Sequence, residues 1–289
     1  MKTTSPTPTD PKEAPNGHID LPLVTLILPA YNEAEIITDS LHSLSYYMAS
    51  LEDRFRWEIL IVNDGSKDNT GPLADAFAVS RDNIRVHHHR VNRNLGVALR
   101  SGFQNAKGDF VVVLDMDLSY APEHIERLLD TMLETDADIV VASPYMKGGK
   151  NTKVPFTRLL LSKTINKLMR FTSSVNIHTF TGMVRAYRND FLANLNLKSS
   201  TYSINPEIIH KAGILRAKVV EIPAHLDWSY QLTKGKNRTS GIRIYKGILL
   251  GLMSGFIFRP YGFFMAVCTF FFFIFLFVLW CVCYCVFLA

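Results

Sequence analysis

Between Leu23 and about Val141 the chain alternates short apolar runs with segments whose apolar side chains recur every three or four positions. The runs are "LVTLILPA", "WEILIVNDGS", "NIRVHHHR", "GDFVVVLDMD" and "ADIVVAS". Between them lie "EAEIITDSLHSLSYYMASL", "TGPLADAFAVS", "GVALRSGFQNA" and "PEHIERLLDTMLE". Near-continuous Val, Ile and Leu mark strands buried on both faces, and the three-to-four spacing marks helices. The alternation predicts a mostly parallel sheet flanked by helices, with ligands outside the carboxyl ends of the strands. The polar clusters "PAYNE", "NDGSKD" and "DMDLSY" fall at those ends.

Beyond this region "FTRLLLSKTINKLMRFT" divides at helical spacing into an apolar face, Leu161, Ile165 and Leu168, and a polar one, Lys163, Asn166, Lys167 and Arg170. Such a helix suits either a membrane interface or the surface of the sheet. "GIRIYKGILLGLMSGFIF" is broken by Arg243 and Lys246 and reads as a second interfacial helix. Its Gly247, Gly251 and Gly255 would let another helix approach closely, which leaves a homo-oligomer open. From Tyr261 to Ala289 no side chain is charged, and the run exceeds the roughly 20 residues that cross a bilayer. The organisation expected is a disordered tail over 1–20, a catalytic domain over 21–239, a juxtamembrane helix over 240–259 and a transmembrane helix over 260–289. The tail is rich in Pro and Thr and lacks the apolar core of a signal peptide.

Charge and cysteine content refine this picture. All four cysteines lie at or beyond Cys268, so the rest of the chain has neither a disulfide framework nor a thiolate metal site. Net charge is only +5, but Lys234, Lys236, Arg238, Arg243, Lys246 and Arg259 crowd the approach to the apolar run. By the positive-inside rule the catalytic domain then faces the cytoplasm, as part of a single-pass membrane protein. The basic residues follow amphipathic segments without an aromatic-studded groove, so nucleic acid is not expected as a partner.

The aspartates of "VVVLDMDLSY" are the sharpest chemical signal. In extended backbone Asp115 and Asp117 point the same way while Met116 turns inward. Two converging carboxylates repel unless a cation lies between them, and Mg²⁺ or Mn²⁺ with a pyrophosphate would satisfy them. The bland reading makes Asp117 the cap of the helix near Pro122. Neither "PAYNE" nor "NDGS" carries the glycine pattern of a dinucleotide site or a P-loop. In a strand, His87, His88 and His89 alternate faces and cannot share one metal.

Taken in order, "PAYNE", "VNDGSKDNT", "NRNLGVALRSGF", "DMDLSYAPEHI", "ASPYMKGG" and "TGMVRAYR" resemble glycosyltransferase family 2 with its GT-A (Rossmann-like) fold. Within it they resemble the polyprenyl-phosphate sugar transferases of the dolichyl-phosphate mannose synthase type. The resemblance implies that Pro29, Tyr31, Glu33 and Asp64 hold the nucleotide and that Asp115-Met116-Asp117 is the metal-binding DXD motif. It also implies that Arg158 and Ser162 bind the acceptor phosphate, while Lys234, Lys236 and Arg238, in a segment that loosely follows the family's basic loop near the membrane, either close over the diphosphate or face anionic lipid. Two positions depart from the pattern: Ser119 stands where relatives often have Gln, and Pro144 where they have Arg. The activity implied moves a hexose, mannose or glucose, from a GDP- or UDP-sugar to dolichyl or undecaprenyl phosphate with inversion. The ionised acceptor phosphate needs no general base. The alternatives are transfer to a hydroxyl, with Glu207 or Asp227 as base, and a non-catalytic nucleotide-binding membrane scaffold.

Overall fold

The structure, a computed structural model, describes residues 21–229 and 260–288. The expected tail, the helix at 240–259 and the residues Lys234 and Arg238 lie outside the described residues. Strands β1 (Leu23–Ala30), β2 (Arg56–Asn63), β3 (Ile84–His88) and β4 (Phe110–Val113) alternate with helices α1 (Ile37–Ala49), α2 (Thr70–Ala78) and α3 (Leu95–Asn105). Helix α4 (Glu123–Thr135), β5 (Ile139–Ser143), β6 (Lys150–Thr152) and α5 (Phe156–Thr172) follow. The domain closes with β7 (Arg185–Arg188), α6 (Asn189–Ala193), α7 (Ile204–Ile214), β8 (Val219–Pro223) and β9 (His225–Asp227).

The large sheet has seven strands in the order β3-β2-β1-β4-β7-β5-β8. Every pairing is parallel except those of β7, which runs antiparallel between β4 and β5. The short "RAYR" of β7 gives no strand signal of its own, and it forms because two buried neighbours offer it ladders on both sides. The core lies on both faces of the sheet, as the unalternating runs require. Leu26, Leu28, Ile59, Ile61 and Val112 meet α1 and α4 through Leu41, Leu44, Leu128 and Leu129. Ile27, Leu60, Val62, Val111 and Val113 meet Leu99 of α3 and Ile208 and Ile209 of α7.

Helix α5 has the bounds read from sequence, but its faces differ. Asn166, expected among the solvated residues, is buried; its Oδ1 accepts from the Phe180 N–H at 2.6 Å and its Nδ2 donates to Thr181 Oγ1 at 3.0 Å. Leu168, expected on the packed face, is exposed with Phe156, Leu160 and Phe171. The amide of Asn166 supplies hydrogen bonds to the turn at 180–181, and that need outweighs burial of Leu168. Beyond the domain, α8 (Pro260–Leu288) is a 29-residue helix. Among the described residues no helix qualifies as long and apolar enough to cross a membrane, so the spanning role expected for this segment is not established.

Candidate active site

The carboxyl ends of β1, β2 and β4 converge on one rim. After β1, Asn32 takes a positive φ of 54° and the chain folds onto the loop after β2. The Asn32 N–H donates to Ser66 Oγ at 3.0 Å and the Glu33 N–H to Thr70 Oγ1 at 2.8 Å. In return the Lys67 N–H donates to Asn32 Oδ1 at 2.8 Å. These reciprocal bonds hold "PAYNE" against "NDGSKDNT" and leave Tyr31 exposed at the rim. Pro29 pairs with Val62 inside the sheet, so what it offers a ligand is the edge of a strand end. Gly65 has φ +65°, and a Cβ there would collide with the backbone of Val91 and Asn92. Only glycine lets the two loops approach this closely.

Asp64 sits beneath this loop, buried. Its Oδ1 accepts from His89 Nδ1 at 2.7 Å and from the Arg93 N–H at 2.9 Å. The histidines at the end of β3 go to separate partners: His88 bonds Asn63 and Asp75, while His89 bonds Asp64 and Ser101. Two of these imidazoles thereby brace the loop after β2, a role the sequence did not announce. Alternation along β3 was the available signal, since it aims neighbouring rings at different partners.

The aspartate pair departs from its expected backbone. Strand β4 ends at Val113, and Asp115 to Leu118 form a turn closed by the Leu118 N–H on the Asp115 carbonyl at 3.2 Å. Leu118 takes φ 48°. Asp117 does not cap α4, whose cap position is Pro122; instead its Oδ1 accepts from the Ser119 N–H at 3.0 Å. The turn, and not an extended strand, brings the carboxylates together. Met116 is buried, as expected. The Asp115 carboxyl is pushed up to about 7, first by burial and then by the charges of Asp117 and Glu33. Three acidic groups crowding one spot make a locus of negative charge that a cation would relieve. Among the described residues no group of three or more His, Cys, Asp or Glu forms a metal cage. Asp115 and Asp117 nevertheless fit a hard divalent ion that takes one or two carboxylates and fills its other positions from phosphate and water.

A second cluster is tied to this turn. The Asp227 N–H donates to the Ser119 carbonyl at 2.9 Å, and His124 accepts from the His225 N–H at 3.1 Å while its Nδ1–H donates to the Ala121 carbonyl at 2.8 Å. Burial lowers the His124 pKa, which suits this neutral, one-donor and one-acceptor role. Strand β9 thus fixes Trp228 beside the acidic turn. The Arg158 guanidinium lies 4.0 Å over the Trp228 ring, and Tyr145 Oη donates to Ser162 Oγ at 2.7 Å. Desolvation lowers the Arg158 pKa against the opposing influence of Tyr202 and Tyr145, and no carboxylate pairs with it among the described residues. Arg158 and Ser162 are therefore brought together as expected. Trp228 and Tyr145, absent from the expected set, complete the cluster.

Glu207 has no part in this opening. Its Oε1 accepts from the Lys198 N–H at 2.8 Å and Lys211 Nζ at 2.6 Å, and its Oε2 from the Ser199 N–H at 2.7 Å. Burial works to raise its pKa, but these donors prevail and hold it below the usual range. Asp227 Oδ1 is likewise engaged by the N–H and hydroxyl of Ser229. Glu207 is thus a structural clasp at both oxygens, whereas these bonds to Asp227 use Oδ1 alone.

A mostly parallel sheet with an antiparallel strand next to its centre, and an acidic turn after the fourth strand, define a glycosyltransferase of the GT-A class. Solved structures with this fold include glucosyl-3-phosphoglycerate synthase from Mycobacterium tuberculosis with Mn²⁺, UDP-glucose and glycerol 3-phosphate, at TM-score 0.59, 18% identity and coverage of 81% of this chain and 80% of that one. The profile of "Glycosyl transferase family 2" matches residues 25–195, and the chain belongs to that family. Curated relatives include the polyprenol monophosphomannose synthase of Mycolicibacterium smegmatis, 35% identical over 68% of this chain and 75% of that protein. Another is the undecaprenyl-phosphate mannosyltransferase of Micrococcus luteus, 31% identical over 69% and 82%. A dolichyl-phosphate beta-glucosyltransferase of Trichomonas vaginalis is 25% identical over 81% and 74%.

Proposed function

We propose that this enzyme transfers a hexose from a nucleotide sugar to polyprenyl phosphate at a membrane surface. The observation that carries the reading is the seating of Arg158, stacked on Trp228 and unpaired with any described carboxylate, beside the acidic turn through the bond from Asp227 to Ser119. An anionic acceptor and an anionic leaving group need opposite treatment. Arg158 supplies a charged fork for the first, and the carboxylates of Asp115 and Asp117 would hold Mg²⁺ or Mn²⁺ for the second. When bound, that cation would neutralise charge on the departing diphosphate.

The chain's own residues do the rest. Tyr31, the Pro29 strand end, Glu33 and Asp64 frame the nucleotide. Ser162, its hydroxyl oriented by Tyr145, and Arg158 orient the acceptor phosphate so that one oxygen faces the anomeric carbon. That oxygen is already ionised near neutral pH, so displacement with inversion proceeds without a side-chain base. The engagement of both Glu207 oxygens elsewhere favours this route over a hydroxyl acceptor with that carboxylate as base.

Membrane attachment belongs to the same proposal. Helix α5 exposes Phe156, Leu160, Leu168 and Phe171 among Lys163 and Lys167, a combination that suits an anionic interface. Helix α8 is 29 residues long, and Phe264, Met265 and the run from Phe270 to Trp280 are exposed along it. Those exposed apolar side chains suit burial against lipid. The basic residues that precede α8 in sequence favour, by the positive-inside rule, a catalytic domain on the cytoplasmic side.

The deciding experiment incubates the purified chain with polyprenyl phosphate, Mg²⁺ or Mn²⁺ and a panel of GDP- and UDP-hexoses, and identifies the lipid product by mass. Absence of any glycosyl phosphoryl lipid across the panel, with transfer to a hydroxyl acceptor instead, would reverse the assignment. In the same assay Arg158→Ala should lower kcat/KM for the lipid about tenfold to a hundredfold, the loss of one charge-assisted bond, with donor KM unchanged. Arg158→Lys should recover little, because an ammonium cannot reproduce the fork or the stacking. A collapse of donor affinity would move Arg158 to the nucleotide side.

A further inference from the structure

Three buried or half-buried carboxylates hold loops around the sheet, and one of them differs from the others. Both oxygens of Glu207 are spent on the protein, and so are those of Glu221, which accepts from the Thr179 N–H at 2.8 Å and from the His178 N–H at 2.7 Å. Asp64 is 4% exposed, yet only its Oδ1 is used, by His89 and the Arg93 N–H. Its Oδ2 takes no hydrogen bond from the described residues. A carboxylate torsion is broad and roughly two-fold, so a side chain held at neither oxygen would not keep one oxygen aimed outward.

Beside the Arg93 N–H, His89 supplies the side-chain hold, and it is itself held. The imidazole is 8% exposed; its Nε2 lies 2.8 Å from Ser101 Oγ on α3. Its backbone N–H donates to the Asn63 carbonyl at 2.9 Å, continuing the β2–β3 ladder by one residue. With Nδ1–H donating to Asp64, Nε2 is the lone-pair nitrogen and the Ser101 hydroxyl donates to it. The chain Ser101, His89, Asp64 therefore has one direction. It ends on an open oxygen at the carboxyl end of β2, where the fold binds ligands.

We propose that His89, seated on Ser101, is a positioning residue that fixes Asp64 so that its free Oδ2 accepts an N–H from the nucleobase of the sugar donor. This rests on the assignment of Asp64 to the nucleotide, and the experiment separates the two. The full chain in detergent is titrated with UDP, with GDP and with inorganic pyrophosphate, each with Mg²⁺. Pyrophosphate has no base and does not report on Asp64. His89→Gln retains reach toward Ser101 but loses the donor at the Nδ1 position, whereas His89→Asn places an amide N–H where Nδ1–H stood.

The expected result is that His89→Gln weakens the nucleotide preferred by the wild type about tenfold, the equivalent of one hydrogen bond to a charged group. Pyrophosphate affinity is unchanged, and kcat at saturating donor stays within about threefold. His89→Asn restores most of the loss, and Ser101→Ala shows a smaller one in the same direction. Equal weakening of pyrophosphate and nucleotide, or no rescue by asparagine, would overturn the proposal and leave His89 as packing. If Asp64→Asn weakens nucleotide binding but His89→Gln does not, only the positioning role fails. If Asp64→Asn leaves nucleotide binding unchanged, the nucleotide assignment of Asp64 fails first.

Discussion

Asp115→Asn should abolish sugar transfer and, in metal-free protein at pH 8, raise the thermal midpoint. Burial, Asp117 and Glu33 push the Asp115 carboxyl up to about 7, so in the metal-free fold the ionised form is disfavoured. The unfolded chain releases this proton near pH 4, at about 3.9 for a free aspartate. Between that pH and about 7 the folded state binds more protons, so stability falls as pH rises through this window and the full penalty is present above it. A shift of this size corresponds to about 4 kcal/mol as a ceiling. Solvent reaching the half-buried carboxylate and relaxation of the acidic turn reduce this to an expected gain of about 1–3 kcal/mol for the asparagine, a few degrees in Tm. The gap between variant and wild type should close by about pH 4. Thermal melts in EDTA at the two pH values, beside turnover with Mg²⁺, provide the check. A variant less stable than wild type at pH 8 would mean that Asp115 has a partner stabilising its charge. Retained turnover would remove it from the ligand set.

Glu207 should behave in the opposite manner, mattering for the fold far more than for chemistry. Glu207→Ala strands two backbone N–H groups and the Lys211 ammonium in a buried site. Losing one partner of a buried charge pair costs about 3–5 kcal/mol, which should drop Tm by roughly 6–15 °C. Glu207→Gln keeps one acceptor but turns an NH₂ toward a donor, for a loss of about 1–3 kcal/mol. At a temperature where the glutamine variant is folded, its kcat should lie within about tenfold of wild type. A general base would show the reverse pattern, with kcat down by about a hundredfold to ten-thousandfold and an undisturbed melt. That outcome would revive the hydroxyl-acceptor route.

Much of this architecture was legible in one dimension. The bounds of helix α5 and five of the parallel strands were legible from the pattern of apolar runs, four of those strands because burial on both faces leaves a near-continuous apolar stretch. Asp115 and Asp117 were legible from the strand that precedes them, and the family resemblance added Asp64, Arg158 and Ser162; the fold brings Asp115 near Asp117 and Glu33, and Arg158 against Trp228. Other features were not legible for stated reasons. Strand β7 is short and has no periodicity, so only its neighbours make it a strand. Asn166 was assigned to solvent by helical phase, but an amide that satisfies two backbone N–H groups can be buried without penalty. His89 was set aside because histidines in a strand alternate faces and cannot share one metal, and its actual partners Asp64 and Ser101 are reached only when β2, β3 and α3 come together.

The order of strands and helices, the two-sided burial of the sheet and the placement of acidic turns at strand ends were determined by sequence, because periodicity and turn chemistry act between near neighbours. Which atom of each acidic group remains open to a ligand was decided by tertiary structure. Asp64, Glu207 and Asp227 are all single carboxylates after or near an element end, and nothing local distinguishes them. Glu207 loses both oxygens to the 198–199 backbone and Lys211, whereas Asp64 loses one to His89 and keeps one. Arg158 likewise gains its stacking partner only on folding, because β9 delivers Trp228 from a distant part of the chain. A side chain's chemistry depends on how many of its hydrogen bonds the protein has already satisfied, and that count is set by groups that only folding brings within 3 Å or so of one another.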